Sequence, residues 1–139
     1  MLGSSNNPQS WQNIHNFIDE FPEDEYWSNW KSMARDLVFA LEARGLSKCF
    51  RVGQSMHQII FSTSPRHGLI TEPRVTLEFY PNERQVRIAY SHANVEFCKP
   101  DSVEQVDVLL ASSCALRYLR QLWVETYSET EIPKGLTTG

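Results

Sequence analysis

Long apolar runs are missing from this chain of 139 residues. No window approaches the roughly 18 consecutive apolar positions that a membrane span needs, so no contact with a membrane is expected. Cysteine is scarce, and its three positions, Cys49, Cys98 and Cys114, are widely spaced with no CxxC. An odd, scattered set reads as buried thiols in a reducing, cytoplasmic setting. The six glycines form no GxGxxG and no P-loop, which argues against a nucleotide cofactor. The opening MLGSSNNPQS has neither the basic nor the apolar stretch of a signal peptide. There is no GxSxG turn for a nucleophile. The histidines His15, His57, His67 and His92 show no HxxxH or HExxH spacing. A zinc site built from His57, His92, Cys49 and Cys98 would lack the close-spaced ligand pairs that such sites usually have. Cys49 lies beside Lys48 and Arg51, whose charges would lower its pKa. A small buried residue at the start of a strand is the commoner meaning of such a cysteine. The sequence therefore offers no catalytic residue, no metal site and no cofactor, and an enzyme is not expected.

What the chain does have is charge sorted by position. Residues 1–43 carry seven acids and two bases, a net of −5. Residues 44–90 carry seven bases and three acids, a net of +4, and residues 91–139 return to −3. The overall charge of −4 argues against general binding to nucleic acid or to an anionic membrane. A local basic patch remains compatible with it.

Apolar periodicity divides the chain the same way. Residues 1–8 read as a flexible tail. Ser10 reads as the N-cap of a short helix bearing Trp11, Ile14, Phe17, Ile18 and Phe21. Trp27, Trp30, Ala34, Leu37, Val38 and Leu41 share one face of a second helix. Its acidic start, Glu23, Asp24 and Glu25, suits the helix dipole, and Gly45 and Leu46 suit its end. The period then changes to two. Strands are expected over 49–52, 56–63, 74–80 and 85–91, with a break or bulge at Gly53 and a short edge strand over 94–97. Residues 81–84 make a hairpin loop, and 64–68 turn the chain earlier. Ser102 and Gln105 form a capping-box pattern, so the last helix is expected over 102–127, with Val106, Leu109, Ser113, Leu116, Leu119, Trp123 and Tyr127 on one face. Residues 129–139 read as a tail, leaving one domain over 9–128. The expected fold is α+β: an antiparallel meander of three to four strands covered on one face by helices, in the order α-α-β-β-β(-β)-α.

That layout leaves one sheet face for solvent or a partner. Arg51, Glu78, Tyr80 and Arg87 are expected to point outward there and to form the partner-binding site. Arg74 is expected to join Arg51 and Arg87 on that face, and arginine with aromatics on a sheet is also how single strands of nucleic acid are held, but no RNP-type motif accompanies it. Cross-strand Arg–Glu pairing explains the same residues without a ligand and carries more weight than either binding reading.

In size and order of elements the chain resembles the small α+β immunity proteins that bacteria encode beside polymorphic or contact-dependent toxins. The likeness rests on an acidic single domain, a first long helix bearing Trp27 and Trp30, a three-stranded meander and a closing long helix. It carries over no site residue. It implies a non-catalytic module that docks on a toxin and blocks its active site. The layout also looks like the start of type III secretion chaperones, which continue with two more strands and a helix. A secretion-chaperone-like protein that binds an effector is thus the alternative. A small cysteine/histidine enzyme and a nucleic-acid binder stand behind it. A homodimer fits either binding reading.

Overall fold

The computed structural model describes residues 7–63, 72–92, 99–127 and 131–137. Helix α1 (Asn7–Asp19) is followed by α2 (Glu25–Glu42) and a 3-10 turn at Leu46–Lys48. Five strands come next: β1 (Arg51–Ser55), β2 (Gln58–Ser62), β3 (Arg74–Tyr80), β4 (Gln85–Ser91) and β5 (Ser102–Asp107). A 3-10 turn (Val108–Leu110) leads into α3 (Ala111–Thr126), and another follows at Lys134–Leu136. The strands form one antiparallel meander in the order β1-β2-β3-β4-β5. The fold is α+β, as the sequence suggests.

Asp24 starts α2 by accepting a hydrogen bond from the Trp27 N–H at 2.9 Å. Gly45, at φ 82°, turns the chain out of the helix into the buried Leu46. The buried face of α2 is Trp30, Met33, Ala34, Leu37, Val38 and Leu41, close to the expected stripe. Together with the buried faces of α1, which lies on β1, and α3, which lies on β3 and β4, it covers Val52, Ile59, Phe61, Val75, Leu77, Phe79, Val86, Ile88 and Tyr90 on one side of the sheet. Alternation within the strands thus assigns the core-facing residues correctly. Each large side chain buried in this way contributes roughly 1.5–3 kcal/mol.

Several boundaries differ from the sequence reading. Helix α1 starts at Asn7, so Ser10 lies in its first turn and not at its N-cap. The Ser10 hydroxyl donates to the Asn7 carbonyl and accepts from the Val52 N–H at 3.0 Å, tying α1 to the edge of β1. Gly53 breaks nothing. It sits within β1 opposite Ile60, and the chain reverses instead at Met56-His57. The largest change is β5. Ser102 to Asp107 is a strand, although Val103 and Val106 are spaced like helix residues. Tertiary pairing with β4 overrides the local helical spacing, and exposure alternates residue by residue along the strand. Asp107 caps the 3-10 turn, its side chain accepting from the Leu109 N–H at 2.9 Å, and α3 follows Leu110 with no side-chain cap of its own. Helix α3 therefore begins nine residues later than the capping-box pattern suggests, and its buried face is Ala111, Cys114, Ala115, Tyr118, Leu119, Leu122 and Trp123. Leu109 and Ser113, assigned to the core from the longer helix, are exposed.

The stretch read as a C-terminal tail packs back where it is described. Leu136 is buried, the Arg44 guanidinium donates to the Gly135 and Thr137 carbonyls, and the Trp123 indole N–H donates to the Glu131 carbonyl. The edge strand expected at 94–97, the turn at 64–68 and the residues His67 and Cys98 lie outside the described residues.

Candidate interaction surface

The two ends of the sheet differ in chemistry. One end gathers the Met56-His57 turn, the Pro81–Arg84 loop, the start of α2 and the 3-10 turn before α3. The Val108 N–H bonds to the Arg84 carbonyl at 2.9 Å, which fixes that last turn against the loop. The start of α2 joins through aromatic contacts. Phe21 stacks on Trp30 with ring centroids 4.3 Å apart, and Trp30 meets Phe79 edge-on at 5.7 Å. Trp27 lies 5.4 Å from the His57 ring and 5.0 Å from Tyr26.

This turn end is also where the apolar surface lies open. Among the described residues, Tyr26 (41%), Met56 (80%), Leu109 (87%) and Leu110 (58%) are four of the six large apolar side chains left exposed. They span the width of the sheet, from Met56 at the β1–β2 turn to Leu109 and Leu110 after β5, and Asp24, Glu25, Glu83 and Arg84 are exposed at the same end. A hollow of about 150 Å³ opens between Tyr26, Trp30, His57, Glu78, Phe79 and Tyr80. A second, wide-open hollow of about 550 Å³ lies between Asp24, Glu25, Tyr26, Trp27 and Asn82. The first is smaller than the roughly 300 Å³ at which small-molecule sites begin and the second is too open to enclose a ligand, so the surface suits docking better than enclosure.

Of the four residues expected to bind a partner, three meet here. Glu78 and Arg87 are directly opposite on β3 and β4, and Tyr80 is two residues beyond Glu78 on the same face. The Tyr80 hydroxyl donates to Glu78, and the Gln58 amide donates to it at 3.0 Å. Burial works to raise the Glu78 pKa. The bonds from Tyr80 and Gln58, with the charges of Arg87 and His57, outweigh it and hold the carboxyl below the usual range. The hydrogen bond to Glu78, helped by burial, pushes Tyr80 up to about 12.

Arg51 is elsewhere. It pairs with Ser62 four residues up the sheet from the Glu78 row, about 13 Å away along the strands. There it lines a groove of about 240 Å³ between α1 and β1. The face between these places is not open as expected: Ile60, Ser62, Arg74, Thr76, Ala89 and Ser91 are all buried. The available surface narrows to the turn end. Alternation finds Glu78, Tyr80 and Arg87 but misses Met56, Leu109 and Leu110. Their signal is an apolar residue at a reversal and two leucines that begin two residues after a capping aspartate.

The other end is ionic. His92 Nδ1 lies 2.8 Å from Asp101 and Nε2 lies 3.2 Å from Glu125, while the His92 backbone N–H donates to Asp101 at 2.7 Å. The buried Tyr90 donates its hydroxyl to the second Glu125 oxygen. Both imidazole nitrogens donate only in the protonated ring. The bonds to Asp101 and Glu125 accordingly raise the His92 pKa. This cluster ties the end of β4 to α3. His57 and His92 lie at opposite ends of the sheet, so the histidine pair considered from sequence does not form. Burial pushes the Cys49 thiol up, with Lys48 only partly opposing, and likewise raises that of Cys114. Cys49 is thus the buried residue that the sequence favours, and the lowering weighed from its basic neighbours does not prevail. Among the described residues no group of histidine, cysteine and carboxylates could hold a metal ion, and no helix is long and apolar enough to cross a membrane. Comparison with protein-family models, with curated proteins and with solved structures finds no match.

Proposed function

We propose that this protein is a cytoplasmic, non-catalytic binding module of the immunity type, which docks on a partner protein and neutralises it. One observation carries the reading: exposed Tyr26, Met56, Leu109 and Leu110 are concentrated at one end of the sheet. Apolar and aromatic side chains grouped inside a polar rim are the usual composition of a protein-binding hot spot. Asp24, Glu25 and Glu83, exposed at the same end, favour a basic counterpart and would steer its approach. The unbridged, buried thiols of Cys49 and Cys114 are compatible with a reducing compartment. In this reading Glu78, Tyr80 and Arg87 border the contact, and Arg51 stands apart from it.

The test is affinity capture from the native lysate with the natural chain and with a Tyr26→Ala/Leu109→Ala double variant. A single stoichiometric partner is expected with the natural chain and not with the variant. The partner's own activity should fall when the natural chain is added back. A partner retained equally by the double variant, or one whose activity is unchanged, would count against the reading.

A further inference from the structure

We propose that the open edge of β5 pairs with the β5 of a second copy of this chain. The reasoning starts from which backbone groups are used. The Val108 N–H bonds to the Arg84 carbonyl, and the register of β4 and β5 continues that pairing. In an antiparallel ladder bonded and non-bonded pairs alternate. Ser102, Glu104, Val106 and Val108 therefore direct their N–H and C=O groups to β4, and Val103, Gln105 and Asp107 direct theirs away from it. The side chains of these three residues are all exposed, and Val103 is an apolar one at 45%.

The opposite edge is treated differently. On β1 the outward Val52 N–H is taken by the Ser10 hydroxyl, and α1 packs along the strand. Residues 102–107 contain no lysine, no proline and no such cover among the described residues. The charges on β5 are already engaged. Glu104 is held by both arms of Arg117 at 2.9 and 3.3 Å, and Asp107 caps the Leu109 N–H.

Two-fold pairing makes an isologous contact, and its register follows from charge and bonding. An axis at Glu104 would set two carboxylates face to face. An axis at Gln105 sets Glu104 opposite Val106 and Val103 opposite Asp107. It also lets Val103, Gln105 and Asp107 of each copy use every open N–H, with the Asp107 carbonyl shared with the 3-10 turn that it caps. The two five-stranded sheets would then join as one, with their turn ends pointing in opposite directions and free. Strand pairing alone buries less than about 1,200 Å², so the dimer should be weak and concentration-dependent.

Sedimentation equilibrium with the full chain tests this, independently of any partner. The natural chain should show a monomer–dimer equilibrium. Gln105→Pro removes one outward N–H that the monomer does not use, a position where an edge strand tolerates proline. It also removes the exposed Gln105 amide bond to Gln85 at 2.6 Å, so Gln105→Ala, which loses that bond but keeps the N–H, is the reference. Relative to Gln105→Ala it should weaken the dimer at least tenfold with little change in the thermal midpoint of dilute protein. In a chain carrying Cys98→Ser, Gln105→Cys should form a disulfide-linked dimer under mild oxidation, since facing Cα atoms in such a pair are about 5.5 Å apart. Val103→Cys should not. A monomer at every concentration, a dimer indifferent to Gln105→Pro, or equal cross-linking of the two cysteine variants would overturn the proposal.

Discussion

The two ends of the sheet solve opposite problems with the same strands. At the ionic end Tyr90, His92, Asp101 and Glu125 bond to one another across β4, α3 and the lead into β5, so polar groups close on themselves. At the turn end Tyr80 and Gln58 likewise bond to Glu78, but beside them stand apolar side chains that nothing described covers: Tyr26, Met56, Leu109 and Leu110. A folded chain gains nothing for its own stability by leaving those side chains in water. The ionic end is built for holding, and the turn end is where binding is proposed. The difference can be tested by substitutions that separate stability from binding.

The largest separation is expected within the aromatic group itself. Trp30 is 1% exposed, stacked on Phe21 and edge-on to Phe79. Trp30→Ala should cost about 3–5 kcal/mol in urea denaturation, because a cavity opens where α2 meets β3. Tyr26, one helical turn away and 41% exposed, should behave in reverse. Tyr26→Ala should cost less than about 1 kcal/mol of stability, yet weaken partner binding by about 2 kcal/mol, near 30-fold in Kd. Equal losses of stability for the two would erase the distinction between core and surface at this end.

How much of this was legible in the sequence follows from what local patterns encode. The strands β3 and β4 were readable because a sheet buried on one side imposes a period of two, and Val75, Leu77, Phe79, Val86, Ile88 and Tyr90 obey it. The α2 stripe was readable for the same reason at a period of 3.6. The strand β5 was not, because Ser102, Val103, Gln105 and Val106 satisfy a helix-start pattern as well as a strand pattern, and only pairing with β4 decides between them. That error moved Leu109 from surface to core and concealed part of the candidate site. The buried middle of the outer face was equally hidden, since Ser62, Thr76 and Ser91 are residue types that normally meet water.

The ionic end gives a smaller effect with a defined sign. The His92 pKa is raised by hydrogen bonds to Asp101 and Glu125, so its contribution is fully present below the unfolded value of about 6.5 and is lost as pH rises through the folded value. Those of Asp101 and Glu125 are lowered. For Asp101 the bonds from His92 dominate; for Glu125 bonds from Tyr90 and His92 outweigh a burial penalty. Their contributions are lost as pH falls through the acidic range. This cluster is therefore strongest between about pH 4.5 and 6.5. His92 is half exposed, so its share should be below about 1 kcal/mol. Thermal midpoints of the natural chain and of His92→Gln, measured from pH 5 to about 8.5, should converge as His92 loses its proton. A gap that stays constant across that range would mean His92 acts through packing and not through charge.

The smallest expected effect on stability separates the two roles most directly. Met56 occupies the reversal between β1 and β2 at φ 57°, left-handed for an L residue, with its side chain 80% exposed. That conformation costs about 1–2 kcal/mol in a residue with a Cβ, and a two-residue hairpin turn ordinarily places glycine, asparagine or aspartate there. Met56→Gly removes the strain and adds unfolded-state entropy worth about 0.5–1 kcal/mol, so a net gain of about 0.5 kcal/mol is expected in urea denaturation. If Met56 contributes to docking, the same substitution should weaken partner binding several-fold, because a flexible apolar side chain is lost from the exposed patch. A variant that is more stable but binds less well would mean that the turn tolerates strain in order to present methionine to a partner. A variant more stable with unchanged binding would remove Met56 from the surface and confine the contact to Tyr26, Leu109 and Leu110.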